Sequence, residues 1–396
     1  MNNALDLTKG FEEEVIELRD YLHTFPEVGG EEFRTSKFVE EEMKKLGLPT
    51  YHLNKTCFYA VLDTGKPGRN LVMRADIDGL PMDEEPLNIL GRAKKTVSEI
   101  PGMCHACGHD AHTAILMTAI KILVANKDVL KGGKIYFIFE AGEENGFSSQ
   151  DILNWLKELQ PDGMYGMHVS SAHETKTISV QAGPRTAGIK AIYATVIGKG
   201  GHSSRPDQSI NPTVAAANAI MALQSMTNLY SDPLYATTFA TTGMSGGTAF
   251  NIIPDEIKFM GSYRFTDLET GSKFEELIPQ IVENAVATYG CTVDIEVKDT
   301  GAYPIVNDPK VSAIAEEALR KVHPEMERDY PVSLGSESMG VYLAEIPGCF
   351  VWVGTASEEL GTTAAHHNGY FDIDESMLKP AVDLSVQFAI DFLEKE

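Results

Sequence analysis

The chain has 396 residues, 43% of them hydrophobic, and a formal net charge of −24. That length exceeds one ordinary domain and predicts two. The acidity excludes a nucleic-acid partner, which needs a basic face, and an anionic membrane surface; no apolar run approaches the roughly 20 residues of a membrane span. Of the five cysteines, Cys57, Cys291 and Cys349 are scattered. An odd, dispersed set fits a reducing compartment better than a disulfide framework. The N-terminal stretch is acidic without an apolar core, so the reading is a cytoplasmic protein.

In chain order, apolar residues at 11, 15, 18 and 22 give helical spacing over residues 11–24. A second helix is predicted over 31–46, stopping at Gly47. Two strand-like runs follow, 57–63 and 70–74, and the second leads into Asp76. Next comes Cys104-His105-Ala106-Cys107-Gly108-His109-Asp110-Ala111-His112, with two thiols, three imidazoles and a carboxylate in nine residues. Each of those groups can bind a transition metal once deprotonated. Cys104 and Cys107 also have the spacing of a redox pair, but the density of His and Asp around them favours a metal turn. A helix over 113–130 is predicted next. An apolar strand over 134–140 then runs into Gly142-Glu143-Glu144-Asn145. A helix at 151–159 and a strand over 162–169, carrying His168, come after it. Near the end, a strand at 349–354 precedes His366-His367. Asp76, Glu143, Glu144, His168 and one of the final histidines thus sit at or beyond strand carboxyl ends. Open α/β sheets collect their ligands there.

The middle of the chain reads differently. A strand over 189–197 leads into a Gly-rich turn at 198–206 that carries His202. A helix from Asn211-Pro212 to about 226, strands near 237–242 and 256–264, a helix near 271–289 and a strand at 291–297 complete it. That order, β-α-β-β-α-β, is a ferredoxin-like sandwich. It predicts an inserted domain at 187–299, with 1–186 and 300–396 forming one discontinuous α/β domain.

Glu143 and Glu144 follow a strand directly. One of an adjacent pair can bind metal while the other acts as general base on a metal-activated water. Taken alone, the pair would more often mark a helix start, where the dipole favours acidic residues. His168 alone would more often be a satisfied core histidine, and His366-His367 a surface pair. Together Cys107, His109, Glu144, His168 and one final histidine make five ligands. Five exceed a single tetrahedral site and imply two metals. Thiolate, imidazole and carboxylate suit zinc, with manganese, cobalt or nickel able to substitute.

The sequence resembles the hippurate hydrolase and indole-acetyl-amino-acid hydrolase subfamily. These belong to the aminoacylase-like, succinyl-diaminopimelate desuccinylase-like di-metal hydrolases. The resemblance is carried by His23-Thr24-Phe25-Pro26-Glu27, Arg74-Ala75-Asp76-Ile77-Asp78-Gly79-Leu80-Pro81, the 104–112 stretch, Glu143-Glu144, Gly166-Met167-His168, the 198–206 turn, Gly246-Gly247-Thr248-Ala249-Phe250-Asn251 and His366-His367. It implies a metallo-aminopeptidase-like α/β catalytic domain, its central sheet flanked by helices, and an inserted ferredoxin-like lid that forms a homodimer. It also implies two divalent ions per chain and hydrolysis of the amide bond of N-acyl amino acids. By the same resemblance Cys107, His109, Glu144 and His168 are ligands. His367 is favoured over His366 as the fifth, because the last ligand precedes the Phe371-Asp372 element by four residues. Glu143 is then the general base, Asp76 orients a ligand, and His202 stabilises the oxyanion. Asn251 and Arg264 face the substrate from the lid. Strand alternation turns Arg264 away from the apolar face, where its fork can grip a substrate carboxylate. Two departures stand out. Ala141-Gly142-Glu143-Glu144 replaces Pro-Ala-Glu-Glu, and Gly335-Ser336-Glu337-Ser338-Met339 lacks an Asp-Phe pair. The alternatives are a di- or tripeptidase with the same core, distinguished by its need for a free amino group, and a catalytically silent metal-binding protein. No missing base or ligand supports the last.

Overall fold

The computed structural model describes residues 4–395. The chain forms two compact units. The first takes in the chain through Gly183, Asn307–Pro331 and everything from Val341; the second takes in Pro184–Val306 and Val332–Gly340. The 332–340 stretch, which the sequence reading left in the flanking domain, groups with the inserted unit. Its main chain explains why: the Ala187 N–H donates to Gly335 O at 3.0 Å, and the Arg264 guanidinium donates to Leu334 O.

The first unit is built on a seven-stranded sheet. Its order is Thr50–His52, Phe58–Asp63, Lys134–Glu140, Asn70–Asp76, Gly163–Glu174, Gly348–Ala356, Ile178–Ser179. The four strands from Lys134–Glu140 to Gly348–Ala356 run parallel, so their carboxyl ends share one edge. Asn70–Asp76 lies between two parallel neighbours and is buried from Leu71 onward. Covered on both faces, it reads as a continuous run rather than an alternation. Helices Glu12–Thr24 and Leu378–Glu394 both pack on helix His109–Ala125, which is buried nearly all round.

Two elements differ from their predicted bounds in ways that matter for the site. The helix expected from residue 113 begins at His109. The polar run before it is not a solvated loop, because His109, Asp110 and His112 find partners inside the protein and can occupy the first helical turn. The strand expected to stop at 169 continues to Glu174, because Gly348–Ala356 pairs along it. Helices Pro309–Val322 and Leu378–Glu394 were not singled out from sequence.

The second unit has four antiparallel strands in the order Thr237–Ser245, Glu256–Phe265, Gly188–Ile197, Thr292–Ala302. Numbered along the chain these are strands 2-3-1-4, the ferredoxin-like arrangement. Helices Pro212–Tyr230 and Leu268–Ala287 close the core with Ala219, Leu223, Phe274 and Ile278 against Ile192, Phe259 and Tyr263. A separate two-stranded ribbon pairs Gly201–His202 with Ile252–Ile253 and sets His202 opposite Ile252. No described helix is long and apolar enough to cross a membrane.

Candidate metal centre

The centre of the first unit begins at a turn only glycine suits. Gly108 has φ +88°, and a Cβ there would meet Val169 Cγ2 at 2.3 Å. The turn swings Cys107 and His109 to the carboxyl edge of the parallel strands, where His168 arrives on the neighbouring strand. The Cys107 Sγ lies 3.5 Å from His168 Nε2. The loop after Gly348–Ala356 is tied to the same turn, with the His367 N–H donating to Ala106 O at 2.9 Å. This brings His367 Nε2 to 3.0 Å from Glu144 Oε1. Candidate ligand atoms of Cys107, His109 and His168 all lie within 4.8 Å of one another, as do those of Cys107, Glu144 and His367 and those of His109, Glu143 and Glu144.

The residues fit a bound cation on three counts. The first is tautomer. Nδ1 of His109 donates to Asp78 Oδ1 at 3.0 Å, and Nδ1 of His168 donates to Val169 O at 2.6 Å. Both rings therefore have only Nε2 left to offer the cluster, and His109 Nε2 is buried without a hydrogen-bond partner. The second is charge. Burial alone would pull His109 down, but the Asp76 charge and the Asp78 hydrogen bond work against it, and the imidazole stands well above its usual range. The surroundings thus favour positive charge at this point. Burial, then the nearness of His112 and His366, pulls His168 well below its usual range, so it stands as a neutral donor. Burial also pushes the Cys107 thiol up; an adjacent divalent ion reverses that and binds the thiolate. The third is donor type, since thiolate, imidazole and carboxylate are the set that binds zinc and its neighbours.

A family profile described as Peptidase family M20/M25/M40 matches residues 72–391. The chain belongs to that family. It is therefore a hydrolase of amide or peptide bonds, as the sequence resemblance implied. Among the M20 relatives, Thermostable carboxypeptidase 2 of Saccharolobus solfataricus is 31% identical over 98% of this chain and 97% of its own length. IAA-amino acid hydrolase ILR1-like 4 of Arabidopsis thaliana is also 31% identical, over 96% and 86%. A solved Bacillus subtilis structure, described as a dinuclear metal binding peptidase from M20 family, superposes with TM-score 0.84. It is 27% identical and covers 98% of this chain and all of that one.

Several residues around the candidate centre were not legible from spacing. Asp78 is the clearest. Besides His109 it accepts the Glu144 main-chain N–H at 3.2 Å, so one buried carboxylate orients two candidate ligands. Asp76, predicted to orient a ligand, accepts from His112 Nδ1 at 2.6 Å and from Arg74 at 2.7 Å. Its Oδ2 stands 3.7 Å from His109 Nε2. Arg74 also donates to Glu140 at 2.6 Å, and the Tyr342 hydroxyl donates to the same carboxylate at 2.6 Å. His112 is fully engaged, because its Nε2 accepts the Val169 N–H at 2.9 Å. Buried Glu32 accepts the Gly142 N–H at 2.6 Å and steadies the loop that carries Glu143. A second Asp two residues after Asp76 was the one available signal for Asp78.

The two final histidines are sorted by their partners. Nε2 of His366 accepts the Ser171 N–H at 3.2 Å, whereas His367 faces Glu144. Behind the turn, a buried cluster braces the helix start: Asp110 accepts from Arg19 Nε at 2.7 Å and His23 Nδ1 at 2.8 Å. His23 Nε2 donates to Glu84 at 2.9 Å. Burial pushes the Glu84 carboxyl up, but His23, the Ser98 N–H and Lys94 outweigh it and bring it to about 2. His202, Asn251 and Arg264 all lie in the second unit. Asn251 O accepts the Ser203 N–H at 3.0 Å, beside His202. Arg264 sits on Glu256–Phe265 between buried Tyr263 and Phe265, on the strand face away from the core.

Proposed function

We propose that this M20 enzyme hydrolyses the amide bond of N-acyl amino acids, using two divalent metal ions. Zinc fits the donor set best, with manganese, cobalt or nickel as substitutes. The observation that carries the reading is the convergence of Cys107, His109, Glu144, His168 and His367 beside the Glu143 loop. When bound, the ions supply positive charge that polarises the scissile carbonyl and lowers the pKa of the attacking water. His109 and His168 offer Nε2 to the ions because their Nδ1–H groups are engaged by Asp78 and Val169 O. Glu143 accepts the proton of the attacking water and returns it to the leaving amine. His202 donates to the developing oxyanion, and Arg264 and Asn251 read the substrate carboxylate.

The substrate class also rests on the Arabidopsis relative, whose name is that of an amino acid conjugate hydrolase. The carboxypeptidase relative favours a second reading, a peptidase with the same core. A hydrolysis screen over N-acyl amino acids and dipeptides, with the metal varied, separates them: turnover confined to substrates with a free amino group overturns the first. We further infer a homodimer through the second unit, with His202 completing the partner's site. Mixed Glu143→Gln and His202→Ala chains should then regain activity, and a fully active monomer would refute it.

A further inference from the structure

His109 and His168 commit the Nδ1 proton to an oxygen and leave Nε2 to face the candidate metal centre. His202 is held the other way. Its Nδ1 lies 3.1 Å from the Ser204 main-chain nitrogen. A main-chain N–H can only donate, so Nδ1 must be the acceptor and carries no proton. The Ser204 hydroxyl, 2.8 Å from the same Nδ1, can donate to it as well. In the neutral ring the remaining proton is then on Nε2.

The backbone around the ring is fixed from both sides. His202 pairs with Ile252 across the ribbon, Ser203 donates to Asn251 O at 3.0 Å, and Arg205 donates to His202 O at 2.9 Å. His202 is exposed, so burial does not select the tautomer, and the local contact from two residues on does.

We propose that Ser204 is a positioning residue, whose main-chain N–H keeps His202 in the Nε2-protonated tautomer so that the ring offers a hydrogen-bond donor and not a metal ligand. The proposal deepens, and rests on, the reading of His202 as oxyanion donor. It explains why a histidine in a metal hydrolase would serve a negatively charged oxygen. A lone pair at Nε2 would repel that oxygen, whereas an N–H stabilises it.

The test begins with the intact protein. Long-range 1H–15N correlation on 15N-histidine-labelled chain, above the imidazole titration, should show pyrrole-type Nε2 and pyridine-type Nδ1 for the signal missing from His202→Gln. A pyrrole-type Nδ1 overturns the proposal. Ser204→Ala keeps the N–H and should keep the pattern. Ser204→Pro removes the N–H and should raise the Nδ1-protonated fraction; an unchanged ratio removes Ser204 from the role. Turnover supplies an independent readout. Glutamine places its amide near Nε2 and asparagine near Nδ1. His202→Gln should stay within about tenfold of wild type and His202→Asn should lose about 100-fold in kcat, the usual loss for one missing oxyanion donor. Asparagine equalling or exceeding glutamine overturns it. Full activity in His202→Ala, alongside the Nε2-protonated pattern in the wild-type protein, would refute the oxyanion reading alone and leave the tautomer assignment standing.

Discussion

Asp78→Asn isolates what the buried carboxylates do. Asp78 is 1% exposed and accepts from two groups, His109 Nδ1 at 3.0 Å and the Glu144 N–H at 3.2 Å. Asparagine fits the same space, but it removes the charge and presents an amide N–H₂ to one of the two donors. A hydrogen bond to a charged group contributes about 1.5–3 kcal/mol. If that energy serves to aim His109 and Glu144, metal affinity should fall about 10–100-fold, since each ~1.4 kcal/mol is a factor of ten. That range matches the losses seen when partners behind metal ligands are changed in other proteins. Competition titration against a chelator measures it, with kcat at saturating metal recovering toward wild type. Asp76→Asn is the contrasting control. It breaks a pair with Arg74 in which both side chains are fully buried, so its main cost should be stability, about 3–5 kcal/mol. An Asp78→Asn protein with wild-type folding and metal affinity within about twofold of wild type would refute the orienting role.

Glu143→Gln should keep both metals by elemental analysis and lose nearly all turnover; near wild-type hydrolysis would remove it as the general base. Arg264→Lys should lose about 2–4 kcal/mol of transition-state binding, on the order of 30- to 1000-fold in kcat/KM, on an N-acyl amino acid but not on its carboxamide. Equal losses on both would mean that Arg264 does not see the carboxylate. Gly108→Ala should destabilise the fold by about 2–4 kcal/mol, combining a left-handed backbone with the Val169 clash; urea unfolding showing less than about 1 kcal/mol would contradict the turn geometry. The depressed folded pKa of Glu84 contributes stability that is present above its unfolded pKa and lost as pH falls toward about 2. The stability gap between wild type and Glu84→Gln should therefore narrow between about pH 5 and pH 2, and a constant gap would count against the His23 and Lys94 pairing.

Local periodicity and residue type were enough to determine most of the elements before residue 300, the β-α-β-β-α-β order of the inserted unit and the ligand-rich turn at 104–112. These are properties of neighbouring residues, and a strand's burial or a cluster of thiols and imidazoles is written in short spans. The tertiary structure alone decided which polar atom meets which. Nothing in the spacing of Asp76 and Asp78 says that the first belongs to Arg74 and His112 and the second to His109 and Glu144. Glu32 reaches the Gly142 loop from 110 positions away. Ser171 engages His366 from 195 positions away and leaves His367 to face Glu144. Hydrogen bonds demand about 3 Å and a suitable angle, and only the packed sheet and helices bring such distant atoms within that reach. The proton position on His109 follows from such a contact, with Asp78 31 positions away, whereas those on His168 and His202 are set by Val169 O and the Ser204 N–H, one and two positions along the chain.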